Sequence, residues 1–396
     1  QNPKAQFFNI DTTSEILFSL ENRGFSIAKM QSRLMEVVNL FEIHSLLDRS
    51  VFDLSGGEKQ VLALASAFTS DTNIILLDEP TSNLDLFFIK RIKMMLAKLI
   101  EIGKTIIIFE HRFFFLKDLV DTVFYLENGR LTRIYSNVEF KNMSKKDREE
   151  KGLRAFSLSE FKYDKRKRTE KETLPSFNIK SLKFNKKNKY LNICDLSAFF
   201  GEKFGIVGKN GSGKSTFLEA LSGITPCNTD LVYLSGNKLS SLARRKISYL
   251  VFQDVNYQIF TENVCDEIEL GVSIKKGEMN DILSEFNLSD IVDVHPLTLS
   301  EGEKQRMIIA SGIISGGNIL LFDEPTSGMD YWNMSKISEI INKTSSPLNI
   351  VFIITHDLEF LCKTCDKYIV IEKGKVAYID KINESSIRNL YRYLTS

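Results

Sequence analysis

A glycine-rich stretch in the second half of the chain has the residue types and spacing of a phosphate-binding loop. The stretch GKNGSGKS fits the pattern G-x-x-x-x-G-K-S, follows the apolar run FGIV and precedes the helical pattern TFLEALSG. Glycines let backbone N–H groups approach phosphates, and a helix N-terminus adds partial positive charge. Lys214 is expected to reach the β- and γ-phosphates and Ser215 to bind Mg²⁺. The predicted loop comprises Gly208, Asn210, Gly211, Ser212, Gly213, Lys214, Ser215 and Thr216.

Two adjacent carboxylates follow the apolar run NILLF in the same half. At the tip of a strand, Asp323 and Glu324 would point to different sides. One can hold a hydrated Mg²⁺ while the other faces an attacking water. We assign Asp323 to the metal and Glu324 to general-base chemistry. His356, after the neighbouring run NIVFIIT, is expected to contact the γ-phosphate; a strand-end histidine is often structural, but the phosphate loop favours the functional interpretation.

The chain contains a duplicated set of motifs. LSGGEKQ at 54 recurs as LSEGEKQ at 299, and NIILLDEPTSNLD (73–85) recurs as NILLFDEPTSGMD (318–330). His111 corresponds to His356 at the same separation of 245 residues, and QNPKAQFF (1–8) recurs as QDVNYQIF (253–260) at a separation of 252. Matching motifs at matching spacing predict two tandem copies of one domain, with an insertion or deletion between two of the motifs.

Long apolar runs predict the strands that position these motifs. NIILLDEP and NILLFDEP are expected to be fully buried strands, with TIIIFEH and NIVFIITH as neighbours, in a sheet covered on both faces. Residues 87–103 have apolar residues at helical spacing and end at Gly103, which predicts a crossover helix. Residues 14–41 are helical in pattern. We therefore expect an α/β core with an inserted helical subdomain.

Composition narrows the choice of partner and compartment. The 52 basic residues nearly balance the 51 acidic ones, so no global field favours nucleic acid or an anionic membrane. The five scattered cysteines argue against a disulfide framework and favour a reducing compartment, and no apolar run is long enough to span a bilayer. We interpret Cys362 and Cys365 as ordinary helix residues. Residues 142–176 lose periodicity and gain charge, which predicts a solvated linker rather than a nucleic-acid-binding segment.

Together these motifs resemble those of ATP-binding cassette (ABC) ATPases over nearly the whole chain. LSGGE and LSEGE look like the family's signature, LLDEP and LFDEP like its Walker B strands, SNLD and SGMD like its D-loops, and His111 and His356 like its switch histidines. Gln1 and Gln253 look like its Q-loop glutamines. The tandem arrangement is similar to the duplicated ATPase subunits of energy-coupling factor (ECF) transporters.

The resemblance implies an α/β P-loop NTPase core with a helical signature subdomain, present twice. It divides the chain into a first cassette lacking its N-terminal Walker A part (1–141), a charged linker (142–176) and a complete second cassette (177–396). The sequence as given is therefore expected to be N-terminally incomplete.

The resemblance also implies that the two cassettes close head to tail on Mg·ATP. The phosphate loop of the second half would then face first-half residues, namely Ser55, Gly56, Gly57 and Asp85. In that site the implied Mg²⁺ ligands are Ser215, Gln253 and Asp323, and the implied catalytic residues are Glu324, His356 and Gln253. The elements of the opposite site would be Gln1, Asp78, Glu79, His111, Ser300, Gly302 and Asp330.

The opposite site is expected to be the weaker one. Its phosphate loop is not in the sequence given, and Glu301 replaces the first glycine of the signature. An inward-pointing carboxylate would repel the γ-phosphate by about 4 kcal/mol, whereas an outward-pointing one would be tolerated. Phe184 and Tyr190 are both available to stack on adenine.

The implied function is that of the ATP-hydrolysing subunit of a transporter, at the cytoplasmic face of the membrane. Its partners would be integral membrane subunits for coupling and substrate binding, its cargo a vitamin or a transition-metal ion, and no nucleic acid would be bound directly. The main alternative is a non-transport tandem ABC ATPase that acts on ribosomes or DNA. A third is an inactive scaffold.

Overall fold

The computed structural model describes residues 6–161, 163, 176–186, 189–272, 276–344 and 349–395. The chain divides into two compact units, one formed by Gln1–Ser157 with Tyr391–Ser396 and the other by Leu158–Leu390.

Helices and strands alternate through most of the described chain. The helices are α1 (Thr12–Asn22), α2 (Ile27–Phe41), α3 (Gly56–Thr69), α4 (Leu86–Glu101), α5 (Asn137–Lys141), α6 (Lys145–Glu150), α7 (Lys214–Ser222), α8 (Ser241–Ile247), α9 (Val264–Glu269), α10 (Lys276–Glu285), α11 (Glu301–Ile314), α12 (Tyr331–Thr344), α13 (Leu358–Thr364) and α14 (Glu384–Thr395). The strands are β1 (Ile74–Asp78), β2 (Thr105–Phe109), β3 (Thr122–Glu127), β4 (Arg130–Ser136), β5 (Phe177–Lys186), β6 (Lys189–Ala198), β7 (Lys203–Val207), β8 (Thr229–Leu234), β9 (Asn237–Leu239), β10 (Ser248–Val251), β11 (Ile319–Asp323), β12 (Ile350–Ile354), β13 (Lys367–Glu372) and β14 (Lys375–Lys381).

The second unit is built on a ten-stranded sheet in the order β10-β11-β12-β7-β13-β14-β6-β5-β8-β9. The strands from β10 to β13 in this order run parallel. Both β11 and β12 are fully buried, which confirms the interpretation of NILLFDEP and NIVFIITH as core strands. Since parallel strands end at the same edge, the residues that follow β7, β11 and β12 meet there.

The first unit contains the predicted parallel pair β1 and β2, together with the antiparallel hairpin β3 and β4. The predicted crossover helix is α4, and the predicted helical segment 14–41 forms α1 and α2.

In the described residues of the first unit, one face of this sheet is not covered. Large apolar side chains of one face are exposed, namely Ile74, Leu76, Ile107 and Phe109. In the second unit the equivalent side chains of β11 and β12 join a core cluster with Phe217 and Leu218 of α7. Among the described residues of the first unit, no helix takes the place of α7 against this face. The predicted sheet covered on both faces is therefore confirmed for the second unit and stays a prediction for the first.

The charged segment predicted as a linker contains folded structure at its start. Helix α6 is capped by Ser144, and the guanidinium of Arg148 lies 4.2 Å from the ring centre of Phe156. Phe156 in turn packs with Tyr135 and Phe140 in a small core cluster. Residues 162 and 164–175 of the predicted linker lie outside the described residues. Charge-rich composition did not indicate this packing, because an arginine guanidinium can stack on the face of an aromatic ring.

None of the described helices combines the length and the apolar character needed to cross a bilayer. In the described residues no three His, Cys, Asp or Glu side chains group as a metal site. Cys362 and Cys365 are free and buried, and burial raises the pKa of both thiols.

Candidate functional site

The glycine-rich stretch forms the turn between β7 and α7. Gly208, Gly211 and Gly213 have φ values of 154°, 76° and 104°, which lie in a region that glycine adopts readily. The Nζ atom of Lys214 donates to the carbonyl oxygens of Gly208 (2.9 Å) and Lys209 (3.1 Å). The lysine head group is therefore held inside the curve of the loop, where a phosphate bound by the backbone amides would meet it.

Close packing around the loop explains two of its glycines. A Cβ at Gly208 would lie 2.3 Å from the carbonyl oxygen of Ile371 and 2.8 Å from Ser212 Oγ. A Cβ at Gly213 would lie 3.3 Å from Gly374 Cα and 3.7 Å from the carbonyl oxygen of Tyr190. Tyr190 therefore lies beside the loop and is partly exposed, whereas Phe184 belongs to the hydrophobic core. Of the two candidates for adenine stacking, only Tyr190 has a ring available at the surface.

Asp323 lies at the end of β11, next to the first turn of α7. Burial raises the pKa of the Asp323 carboxyl, while the Ser215 hydroxyl and the Lys214 ammonium act in the opposite direction. A hydroxyl and a carboxyl group side by side are the oxygen donors that Mg²⁺ prefers. Ser215 and Asp323 thus fit the metal role expected of them, and a Mg²⁺ bound there would neutralise charge on the phosphates of ATP.

Glu324 and His356 form a buried pair at the same edge of the sheet. The backbone N–H of His356 donates to Glu324 Oε2 (3.2 Å), and His356 Nε2 lies 3.4 Å from Glu324 Oε1. His356 Nε2 is also 3.1 Å from Oδ1 of Asn210 in the phosphate loop. Glu324 has a left-handed backbone, with φ of 52°, and its N–H donates to the carbonyl of Ile354 in β12. The predicted base, the histidine and the phosphate loop are therefore in one place.

The first unit repeats part of this arrangement. Glu79 has φ of 41°, its N–H donates to Phe109, and its Oε1 lies 3.4 Å from His111 Nε2. Asp78 ends β1 as Asp323 ends β11.

One residue of the first unit was not anticipated. Glu110 occupies the position of Thr355; its Oε2 accepts the N–H of His111 (3.0 Å), and it accepts the hydroxyl of Thr81. Burial raises the pKa of Glu110 to about 7, opposed by the nearby guanidinium of Arg112. The sequence contained a signal for this residue, because FEH (109–111) stands where the second half has ITH (354–356).

The two signature motifs begin helices in the same way. Ser55 caps α3 and Ser300 caps α11, each in a capping box with the glutamate three residues later. The side chain of Glu301 is 76% exposed, and its Oε1 is 3.7 Å from Lys304 Nζ. Of the two orientations considered for Glu301, the structure shows the outward one.

The glycines of the signatures differ in their surroundings. A Cβ at Gly57 would lie 2.1 Å from the ring of Phe88, whereas one at Gly56 would meet nothing within 4 Å. A Cβ at Gly302 would be 3.7 Å from Arg306 Nη1, an ordinary contact. Only the second glycine of the first signature is therefore sterically required.

The remaining predicted residues are placed as follows. Asp85 and Asp330 of the D-loops accept the N–H of Phe88 (3.0 Å) and Asn333 (2.8 Å), at the starts of α4 and α12. Gln253 is exposed just after β10. Gln1 lies outside the described residues.

A pair of buried glutamates was missed by sequence reasoning. Glu15 Oε2 accepts the N–H groups of Phe8 (3.0 Å) and Asn9 (2.8 Å). Glu267 Oε2 accepts those of Phe260 (2.9 Å) and Thr261 (2.8 Å). The signal was present, because Glu15 and Glu267 have the same 252-residue separation as the flanking Gln motifs.

The loop, the carboxylates after a parallel strand and the histidine define a P-loop NTPase site. A sequence model described as ABC transporter matches residues 3–82 and 191–327. An ABC transporter ATP-binding protein of Treponema denticola is 37% identical over 382 residues, which cover 95% of this chain and 78% of that protein. A protein of the same description from Methanosarcina mazei is 31% identical over 383 residues, covering 94% and 76%.

Solved structures resemble the chain as a whole. The complex of an archaeal ribosomal stalk protein with an archaeal ribosome recycling factor matches with a TM-score of 0.68 at 24% identity, over 96% of this chain and 73% of that one. A structure named RNase-L Inhibitor matches with a TM-score of 0.66 at 22% identity, over 96% and 73%. At these identities the likeness shows the fold alone. The sequence matches show more: the chain belongs to the ABC transporter family of ATP-binding proteins and is an ABC ATPase.

Proposed function

We propose that this chain is the ATP-hydrolysing subunit of an ECF-type transporter for a vitamin or a metal ion, located at the cytoplasmic face of the membrane. Its two cassettes would close on Mg·ATP and reopen after hydrolysis, and membrane subunits would convert this motion into uptake. The observation that carries the proposal is a duplicated exposed apolar surface. We call it the docking surface: Phe8, Ile10 and Phe52 in the first unit, and Tyr257, Phe260 and Leu297 in the second.

Two members of the docking surface recur at equivalent positions of the two units. Phe8 matches Phe260, and these are 74% and 75% exposed, while Phe52 matches Leu297, and these are 77% and 53% exposed. In the first unit the N–H of Val51 donates to the carbonyl of Ile10, which places Ile10 beside the segment that carries Phe52. Large exposed apolar groups that recur at equivalent positions favour a protein partner over chance.

Charges near the docking surface favour a membrane protein over RNA. The exposed charged residues in or next to these loops are acidic: Asp53, Asp254, Glu262 and Asp266. Binding to ribosomal RNA depends on Lys and Arg that neutralise phosphates. An apolar helix with basic flanks, as found where membrane helices emerge into the cytoplasm, is the complementary partner.

We further propose that hydrolysis uses the phosphate loop of the second unit with the signature of the first. Ser55 and the amides at the start of α3 would donate to the γ-phosphate held by Lys214. A water oxygen attacks the γ-phosphorus, its proton passes to Glu324, and the bond to the β-phosphate oxygen breaks with departure of ADP. His356 contacts the γ-phosphate and links this event to Asn210. Because Glu301 points outward, charge repulsion by its carboxylate would not be what weakens the opposite site.

The main alternative is action on the ribosome, and one experiment separates the two. Affinity-tagged protein would be isolated from its native cells after mild detergent extraction, and parallel lysates would be sedimented to collect ribosomes. We expect an integral membrane protein to co-purify and no enrichment with ribosomes. Phe260→Asp should abolish co-purification, while Leu242→Asp, a control at an exposed position on α8, should not. Co-sedimentation with ribosomes and no membrane protein in the eluate would refute the transport function.

A further inference from the structure

We infer that Glu267, and by repetition Glu15, are positioning residues that tie the docking surface to the signature helix of the same unit. The inference rests on the proposed docking function for its purpose, although the contacts stand independently. In each unit one buried glutamate side chain holds the loop with the exposed phenylalanine, and its backbone carbonyl meets a serine of the signature helix.

The side chain of Glu267 gathers three donors from the loop. Its Oε2 atom accepts the N–H of Phe260 (2.9 Å), the N–H of Thr261 (2.8 Å) and the hydroxyl of Thr261 (2.8 Å). Glu267 is buried. An acceptor with several donors and little competition from water fixes the backbone of the loop at the residue that carries the exposed ring.

The first unit makes the same construction from a different loop sequence. Glu15 is buried, and its Oε2 accepts the N–H of Phe8, the N–H of Asn9 and the side-chain amide of Asn9 (3.3 Å). The third donor is thus an amide in one unit and a hydroxyl in the other. Only the glutamate and the phenylalanine are common to both sets of contacts, so the pair itself is the shared feature.

The backbone of each glutamate contacts the signature helix. Ser311 Oγ on α11 lies 3.2 Å from the carbonyl oxygen of Glu267 and 3.1 Å from that of Met307. Ser66 Oγ on α3 lies 3.3 Å from the carbonyl oxygen of Glu15. Ser66 and Ser311 occupy matching positions in the two signature helices.

Packing reinforces these hydrogen bonds. Helix α9 packs against α11, and α1 packs against α3. In the second unit, Lys304 Nζ on α11 also donates to Oδ1 of Asn256 (3.1 Å), the residue before Tyr257 of the docking surface. Both signature helices begin at the serines expected to reach nucleotide, Ser55 and Ser300.

These contacts form a short mechanical link from the partner to the nucleotide. A displacement of Phe260 must move Glu267 or break its hydrogen bonds, and movement of Glu267 must move α11. A loop held only by solvent would absorb the displacement locally. Glu267 therefore acts through other residues and has no role in the chemical step.

The test compares amide hydrogen exchange in the full chain with and without Mg·ATP. In Glu15→Gln, which keeps the shape but removes the charge, we expect the amides of residues 8–9 to exchange about tenfold faster. In the wild type, Mg·ATP should slow exchange in this loop and at the start of α3, the signature helix of the proposed site, together; in the variant only α3 should respond. The kcat and KM for ATP should stay within about twofold of the wild type. The matched control is Glu21→Gln, an exposed carboxyl near the end of α1, which should change none of these.

Three outcomes would overturn the inference. They are unchanged exchange at residues 8–9 in Glu15→Gln, a loop response to Mg·ATP that persists in that variant, or the same changes in the control. If Glu15→Gln does not fold, Ser66→Ala replaces it, and the loop response should again be lost. None of these measurements requires a membrane partner, so absence of a co-purifying membrane protein would refute the proposed function without deciding this inference.

Discussion

Replacing Glu324 by Gln should remove general-base catalysis and leave the fold intact. Glu324 is buried, and its Oε2 accepts the N–H of His356 at 3.2 Å. Glutamine keeps the same shape and one carbonyl oxygen for this hydrogen bond, so the local structure should survive. It cannot take a proton from water. General-base catalysis contributes about 10²- to 10⁴-fold, which corresponds to about 3–5 kcal/mol in the activation free energy.

The assay is steady-state phosphate release at saturating Mg·ATP, followed by gel filtration to detect retained ATP. We expect Glu324→Gln to lower the rate at least about a hundredfold and to retain unhydrolysed ATP. The matched control is Glu79→Gln, because Glu79 has the same left-handed backbone and the same 3.4 Å approach to its histidine. Under the proposed asymmetry this control should lose no more than about half of the rate.

Two results would refute the reasoning. Activity of Glu324→Gln above about a tenth of the wild type would mean that another group takes the proton. Equal loss in Glu79→Gln would mean that both sites turn over or that they are strictly coupled. A circular dichroism melt shows whether either variant is folded, which separates a catalytic loss from misfolding.

The other predictions concern the signatures and one half-buried acid, Glu110. Ser55→Arg should lower ATP hydrolysis at least about a hundredfold, because it blocks the γ-phosphate of the proposed site, while Ser300→Arg should lower it less than about threefold. Gly57→Ala should destabilise the fold by about 1–3 kcal/mol in chemical denaturation, since the added Cβ would lie 2.1 Å from the ring of Phe88. Glu110 has a pKa raised from 4.5 to about 7, so the folded state binds more protons than the unfolded state within this window and stability should fall as pH rises through it. Glu110→Gln should remove this fall and be the more stable protein above pH 7.

Each of these has its own control. Equal damage from the two signature serines would contradict the asymmetry. For Gly57, the substitution should be less harmful in a Phe88→Ala background than in the wild type, and equal harm would show that the clash is not the cause. For Glu110, denaturation midpoints measured between pH 4.5 and 7 should show a pH slope in the wild type but a smaller one in the variant. Equal slopes would assign the pH dependence to another group.

Much of the site was predictable from local pattern. A phosphate loop is defined by contiguous residues, so Lys214 and Ser215 could be identified without a fold. Asp323 and Glu324 follow a strand whose apolar run is specific enough to be recognised, and the repeat identified the corresponding residues of the first unit. What the repeat could not show was which differences between the copies matter, as Glu110 and Glu301 illustrate. Each departs from its counterpart, yet Glu110 is half-buried beside a histidine and Glu301 extends into solvent.

The sequence alone determined the motifs, their duplication and the strands and helices that carry them, because these depend on residues close together along the chain. Only the tertiary structure decided which surfaces are buried. The run NILLF reads as a core strand, but only the fold shows that Leu321 joins a core cluster with Phe217 and Leu218 of α7, which lie far from it along the chain. The same holds for Glu15 and Glu267, whose role depends on a loop that folds back onto the following helix and on a serine some 50 residues away in the case of Glu15.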